Sequence, residues 1–194
     1  GDGITIDADS AHTATLIFLH GLGDTAEGWL PGALELRPKS GHMKIILPTA
    51  PTRPVTLNGG METTAWADVY GLEADLAEDV KGWESAFERA ETLIKNEMNN
   101  GIPSNRIVLG GFSMGGAVAL HTALRSKYQL GGVIALSTWL PLMDRFPGAI
   151  GERCPILMAH GTDDNIVKYS LGLRTNALLD SMNRDVSFVA VQGM

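Results

Sequence analysis

Short apolar runs and helical stripes take turns along this chain. Thr15-Leu16-Ile17-Phe18-Leu19 reads as a buried strand with His20 at its end, and further strands are predicted at 44–47, 106–109, 133–136, 155–159 and 186–191. Helical spacing appears at 28–36, 72–98, 114–125 and 167–182. In the longest of these, Leu76, Val80, Trp83, Phe87, Ala90, Ile94 and Met98 recur at steps of three and four residues, and Gly101 and Pro103 end the helix. That stripe is core packing. Pro48, Pro51, Pro54 and Asn58-Gly59-Gly60 predict an irregular loop to about Trp66, and a loop of that length in a compact domain is often functional. The alternation predicts a mainly parallel central sheet with helices on both faces. In such sheets ligands sit at the carboxyl ends of the strands.

Composition narrows the function classes. One domain spanning 1–194 is expected from the length. With 44% apolar and 19% charged residues, the chain is of ordinary globular composition and not disordered. The net charge of −7 and the lack of a basic run exclude the electrostatic footprint of a nucleic-acid binder. No apolar stretch reaches bilayer-spanning length, and residues 1–10 have no signal-peptide character. Cys154 is the single cysteine, which suits a reducing compartment and reads as a buried structural thiol.

The candidate chemistry lies after three of the strands. Gly111-Phe112-Ser113-Met114-Gly115 fits G-x-S-x-G, follows the strand Ile107-Val108-Leu109 and opens a helix. That is the setting of a nucleophile elbow, in which glycine permits a very tight turn and the serine oxygen projects beside a helix N-terminus. Ser113 is the candidate nucleophile. Acyl transfer also needs backbone N–H donors for an oxyanion. Met114 is expected to supply one, and Leu22, in the loop His20-Gly21-Leu22-Gly23-Asp24, the other. His20 reads as a strand-end residue that fixes this loop. His12 and His42 carry no signal, and His121 is expected to pack or cap within its helix. His160-Gly161-Thr162-Asp163-Asp164 follows a late strand, where this arrangement places the acid that orients a histidine. Asp164 is the candidate and Asp163 the alternative. His160, preceding the acid, reads as structural.

Several longer segments carry a family resemblance. Phe18-Leu19-His20-Gly21-Leu22-Gly23-Asp24-Thr25, Arg53-Pro54-Val55-Thr56-Leu57-Asn58, Asn100-Gly101-Ile102-Pro103-Ser104-Asn105-Arg106-Ile107, Leu109-Gly110-Gly111-Phe112-Ser113 and Leu136-Ser137-Thr138-Trp139-Leu140-Pro141-Leu142 resemble acyl-protein thioesterases. These are lysophospholipase- or carboxylesterase-like serine α/β-hydrolases, and the resemblance runs from about Thr15 to the end of the chain. It implies the α/β-hydrolase fold and a cytoplasmic enzyme without cofactor or metal. The implied substrates are S-acylated proteins, or lipid and small esters. It also implies the roles given above to Ser113, Asp164, Leu22 and Met114. Many relatives carry glutamine where Met114 stands, a change that leaves the backbone donor intact.

The resemblance further implies a catalytic histidine just after a Gly-Met pair, followed by a final helix. Here Gly193-Met194 closes the sequence. The expectation is therefore a domain truncated at its C-terminal side, lacking that helix, and inactive unless residues beyond Met194 supply the base. An acyl chain would need an apolar groove, for which Leu57, Met61, Trp66, Trp139, Leu140 and Leu142 are the candidates. Apolar surface there would also support transient membrane-surface contact or a homodimer. The competing expectations are a carboxylesterase or lysophospholipase for small or lipid esters, and a catalytically dead protein that holds lipidated peptides.

Overall fold

Except at Val186–Val191, the apolar runs form strands largely buried on both faces, as a parallel sheet with helical cover requires. The computed structural model describes residues 3–36, 40–71, 77–143 and 153–194. In chain order its elements are β1 (Ile4–Ile6), β2 (Ala14–Leu19), α1 (Ala26–Leu36), β3 (Met43–Leu47), β4 (Thr52–Val55), β5 (Met61–Thr64), α2 (Val80–Asn99), β6 (Ile107–Phe112), α3 (Met114–Arg125), β7 (Gly132–Leu136), β8 (Ile156–Gly161), α4 (Tyr169–Ser181) and β9 (Val186–Val191). The main sheet has the order β1-β3-β2-β6-β7-β8-β9, with only β1 antiparallel to its neighbour.

Alternate side chains feed two apolar layers. Ile17, Leu19, Ile107, Leu109, Val133 and Met158 pack in one layer with residues of α2, α3 and α4, while Leu16, Ile45 and Leu47 pack in the other with α1. The mainly parallel sheet with helices on both faces is thus as expected. α3 is buried from Met114 to Leu124 and so carries almost no polar face. On the α1 side, Leu157 and Val189 remain 41% and 46% exposed. Among the described residues, no helix is long and apolar enough to cross a membrane.

The topology places the site. The chain leaves β2 toward β3 on one side and returns to β6 on the other, so a crevice opens between the loops that follow β2 and β6. Leu19 stands opposite Gly111, Phe112 opposite Leu136 and Gly161 opposite Val191. The loops after β2, β6, β7 and β8 therefore emerge along one edge.

Three expectations change. β1, unmarked in the sequence reading, is a short edge strand on β3. The stretch expected to be irregular contains the β4–β5 hairpin, a ribbon of two strands with Pro54 opposite Glu62. Proline cannot donate to a ladder, and a two-stranded ribbon, which is all edge, tolerates it. The helix expected from 72 begins at Val80, because the Asp79 carboxylate accepts the Gly82 N–H at 2.9 Å and caps it. Residues 72–76, and with them Leu76 of the predicted stripe, lie outside the described residues.

His121 sits inside α3, 2% exposed, with its ring stacked on Phe87 at 3.7 Å between centroids. Burial, helped by the Arg125 charge, pushes its pKa from 6.5 down to about 3. Below pH 6.5 the unfolded chain binds a proton that the folded chain refuses. This contribution to stability is therefore full above pH 6.5 and is lost as pH falls toward about 3. Buried His20 is shifted in the same direction, chiefly by desolvation. In urea unfolding, the midpoint of His121→Phe should fall less than that of the parent between about pH 7 and about pH 4.5. Equal falls would show that His121 carries none of this dependence.

Candidate active site

Ser113 joins β6 to α3 with φ 52° and ψ −120°, a conformation that residues other than glycine avoid. Its neighbours explain how this is held. A Cβ on Gly111 would collide with the Gly115 carbonyl and the Gly116 nitrogen, and one on Gly115 with the carbonyls of Leu19 and His20. Glycine at both places lets α3 start directly against the sheet. The Ser113 N–H donates to the Leu136 carbonyl at 2.8 Å. Its carbonyl accepts from the Ala117 N–H at 3.1 Å and from the Thr138 hydroxyl at 2.6 Å.

The loop after β2 is fixed just as firmly. The Gly23 N–H donates to the Thr64 carbonyl at 2.8 Å, and the Thr64 hydroxyl donates to the Asp24 carbonyl at 2.6 Å. The N–H of Leu22 has no acceptor among the described residues. The N–H of Met114 is the first of α3, a position without an intrahelical partner. His20 is 1% exposed. The Ala50 N–H donates to its Nε2 at 2.9 Å, so the proton sits on Nδ1, which donates to the Gly21 carbonyl at 2.6 Å. With both ring nitrogens engaged, His20 organises the loop, as its strand-end position suggested.

The acid loop follows β8. Asp164 Oδ1 accepts the N–H groups of Ile166 and Val167, each at 2.9 Å, and Asp164 lines the same cleft as Ser113. Asp163 is exposed, bonds Thr162 at 3.1 Å and does not line the cleft. Its N–H donates to the Met194 carbonyl at 2.7 Å, which ties the loop to the end of β9. None of the five histidines lies on the cleft wall. His12 bonds Thr15 at the opposite end of β2, and His42 is exposed just before β3.

The cleft holds about 350 Å³ and is mostly apolar. Of the residues expected to line it, Leu57 and Trp139 do, as do Leu22 and Met114. Met61, Trp66, Leu140 and Leu142 do not. Met61 is 69% exposed on β5, away from the cleft. Trp66 is buried behind the loop after β2, where its Nε1–H donates to the His20 carbonyl at 2.8 Å and its backbone N–H to Met114 Sδ at 3.2 Å. Leu140 is buried, its N–H donating to the Thr175 hydroxyl at 3.0 Å, and Leu142 is likewise turned inward. Val69, Phe112, Ile166 and Val167 add to its apolar wall and were missed. Ile166 and Val167 carried one available signal, since they stand two and three residues after the candidate acid. Among the described residues, no group of three or more His, Cys, Asp or Glu side chains is placed to hold a metal ion.

Comparison with known proteins agrees with this geometry. The sequence model of the family described as phospholipase/carboxylesterase matches residues 3–194. An acyl-protein thioesterase 1 of Cryptococcus neoformans is 45% identical over 178 residues, which is 89% of this chain and 75% of that protein. An acyl-protein thioesterase 1 of Neurospora crassa is 39% identical over 98% of this chain and 83% of its own length. The crystal structure of Zea mays acyl-protein thioesterase 2 superimposes with a TM-score of 0.84 at 32% identity, covering 99% of this chain and 90% of that one.

Thr138 lies in a segment that carries the family resemblance but was given no role there, yet its hydroxyl holds the strained Ser113 carbonyl. Thr138→Val keeps the shape and removes that bond, a loss of about 1 kcal/mol. It should slow fluorophosphonate labelling of Ser113 severalfold while the thermal midpoint shifts by only a few degrees. An unchanged labelling rate would show that the elbow holds without Thr138.

Proposed function

The chain belongs to the phospholipase/carboxylesterase family, and from that premise we propose that it is an acyl-protein thioesterase, a serine hydrolase that releases fatty acyl groups from protein cysteines. Its 39% to 45% identity to acyl-protein thioesterases over most of its length supports the substrate class. The observation that carries the mechanism is Ser113 on its strained elbow sharing an apolar cleft with the Asp164 carboxylate.

In this reading Ser113 Oγ attacks the thioester carbonyl, and the N–H groups of Leu22 and Met114 stabilise the tetrahedral oxyanion. The cysteine thiol leaves, an acyl-enzyme remains, and water releases the fatty acid. The acyl chain lies against Leu57, Val69 and Trp139. A histidine must take the serine proton, and Asp164 orients that histidine through Oδ2, the oxygen its own turn leaves free of N–H donors. We assign the base to a residue following Met194. The bond from the Asp163 N–H to the Met194 carbonyl supports this, because a residue added there emerges beside Asp164. Residues 1–194 belong to one domain of this enzyme, which acts in the cytoplasm without a cofactor. Exposed Leu57 and Ile166 give it an apolar rim for transient contact with a membrane surface or a second copy.

Fluorophosphonate should label the full-length protein, and Ser113→Ala should abolish both labelling and palmitoyl-thioester hydrolysis. Labelling that survives Ser113→Ala would sink the nucleophile assignment. A polypeptide ending at Met194 should turn over at least about 1,000-fold more slowly than one extended through a histidine. Equal rates would remove the base from that position. Preference for short oxygen esters over long acyl thioesters would favour a general carboxylesterase, and binding of acylated peptide without turnover a dead binding protein.

A further inference from the structure

His160 has no part in the mechanism above, yet it is among the most buried polar residues of the chain, at 1% exposure. It stands in β8, opposite Ala190 of β9 and four residues before the acid. The ring is wedged in place. Tyr169 meets it edge-on at 5.8 Å, and a Cβ on Gly172 of α4 would collide with its Nδ1 and Cγ. Among the described residues, Nδ1 has no hydrogen-bond partner, and the imidazole bonds only through Nε2, 2.7 Å from the Val167 carbonyl. A carbonyl only accepts, so Nε2 carries the proton. Asp164 Oδ2 lies 3.6 Å from the same nitrogen, beyond hydrogen-bond length but close enough to feel its partial charge.

We propose that His160 is a positioning residue for the acid: its Nε2–H holds the 164–167 turn in the arrangement that keeps Asp164 on the cleft wall. The inference rests on the reading of Ser113 and Asp164 given above. The turn is closed twice. Asp164 Oδ1 binds the N–H groups of Ile166 and Val167, and the Val167 carbonyl binds His160. Val167 is 2% exposed, so without the imidazole its carbonyl is left buried and unpaired. The turn then relaxes to find another donor, and the carboxylate anchored to the same residue moves with it. His160 cannot itself be the base, since its Nε2 proton is committed to Val167 and the ring is not on the cleft wall.

The test is kcat on a palmitoyl thioester in the full-length protein, expressed per fluorophosphonate-titrated serine so that loss of folded protein drops out. His160→Leu should lower this kcat on the order of 10- to 100-fold with KM changed less than about twofold, because a small misplacement of a catalytic group is enough. His160→Gln, whose amide N–H can reach toward Val167, should restore most of it. In an Asp164→Asn background, His160→Leu should add little, since both act through one carboxylate. An unchanged kcat per titrated serine in His160→Leu, with only a lower Tm, would overturn the proposal, as would losses that multiply in the double variant. If His160→Leu does not fold, the comparison passes to His160→Gln and the shorter His160→Asn: Gln well above Asn supports the proposal, and equal kcat overturns it. Full activity in Asp164→Asn would defeat the triad reading itself, whereas loss there with none in His160→Leu defeats only the positioning role.

Discussion

The cleft depends on how closely α3 approaches the sheet at Gly111 and Gly115. With no Cβ at either place, the first turn of α3 packs directly against the ends of β2 and β6. That contact turns the chain so sharply that Ser113 is forced to positive φ, a conformation costing about 1 to 3 kcal/mol. Three hydrogen bonds to the Ser113 backbone offset the strain, each contributing about 1 kcal/mol. The same approach sets the Met114 N–H against the loop that carries Leu22. The strain at Ser113 and the placing of the two proposed oxyanion donors are thus two results of one packing contact.

A single scheme fixes the loops around the cleft. Each is pinned by a polar side chain buried beneath it: His20 under the loop after β2, Thr138 under the elbow and His160 under the acid loop. The turn of the β4–β5 hairpin is secured by more exposed bonds. Asp68 binds Thr56 through both backbone and hydroxyl, while Asp79 accepts the Asp68 N–H and caps α2. At the opposite end of the sheet, buried Glu97 ties Thr15 of β2 to Lys44 of β3. Strength is concentrated there, where the strands begin, and chemistry where they end.

What the sequence revealed follows from how local each requirement is. The elbow was legible because its need for glycine is met within five adjacent residues, and α3 was read at its observed limits, Met114–Arg125. β1 and the hairpin were not, because three- and four-residue strands carry little pattern and their partners lie elsewhere in the chain. Membership of the cleft was only half legible. Leu57 and Trp139 line it, but Trp66 and Leu140 have the same apolar character and turn into the core. Side-chain direction in a loop has no period to read. Asp163 and Asp164 posed the same difficulty, since adjacent carboxylates differ only in which one the turn directs inward.

The tie between the acid loop and β9 also orders events in time. The Thr162 N–H reaches the Val191 carbonyl, the Asp163 N–H the Met194 carbonyl, and the Gly193 N–H the Thr162 hydroxyl. β2, β6 and β7, which carry the loop of Leu22 and the elbow, leave the ribosome well before β9, and a domain folds as a unit. The loop bearing Asp164 therefore waits for its neighbouring strand until the last of these elements has emerged. Completing the sheet at β9 and fixing the loop of Asp164 become one event in the making of the protein.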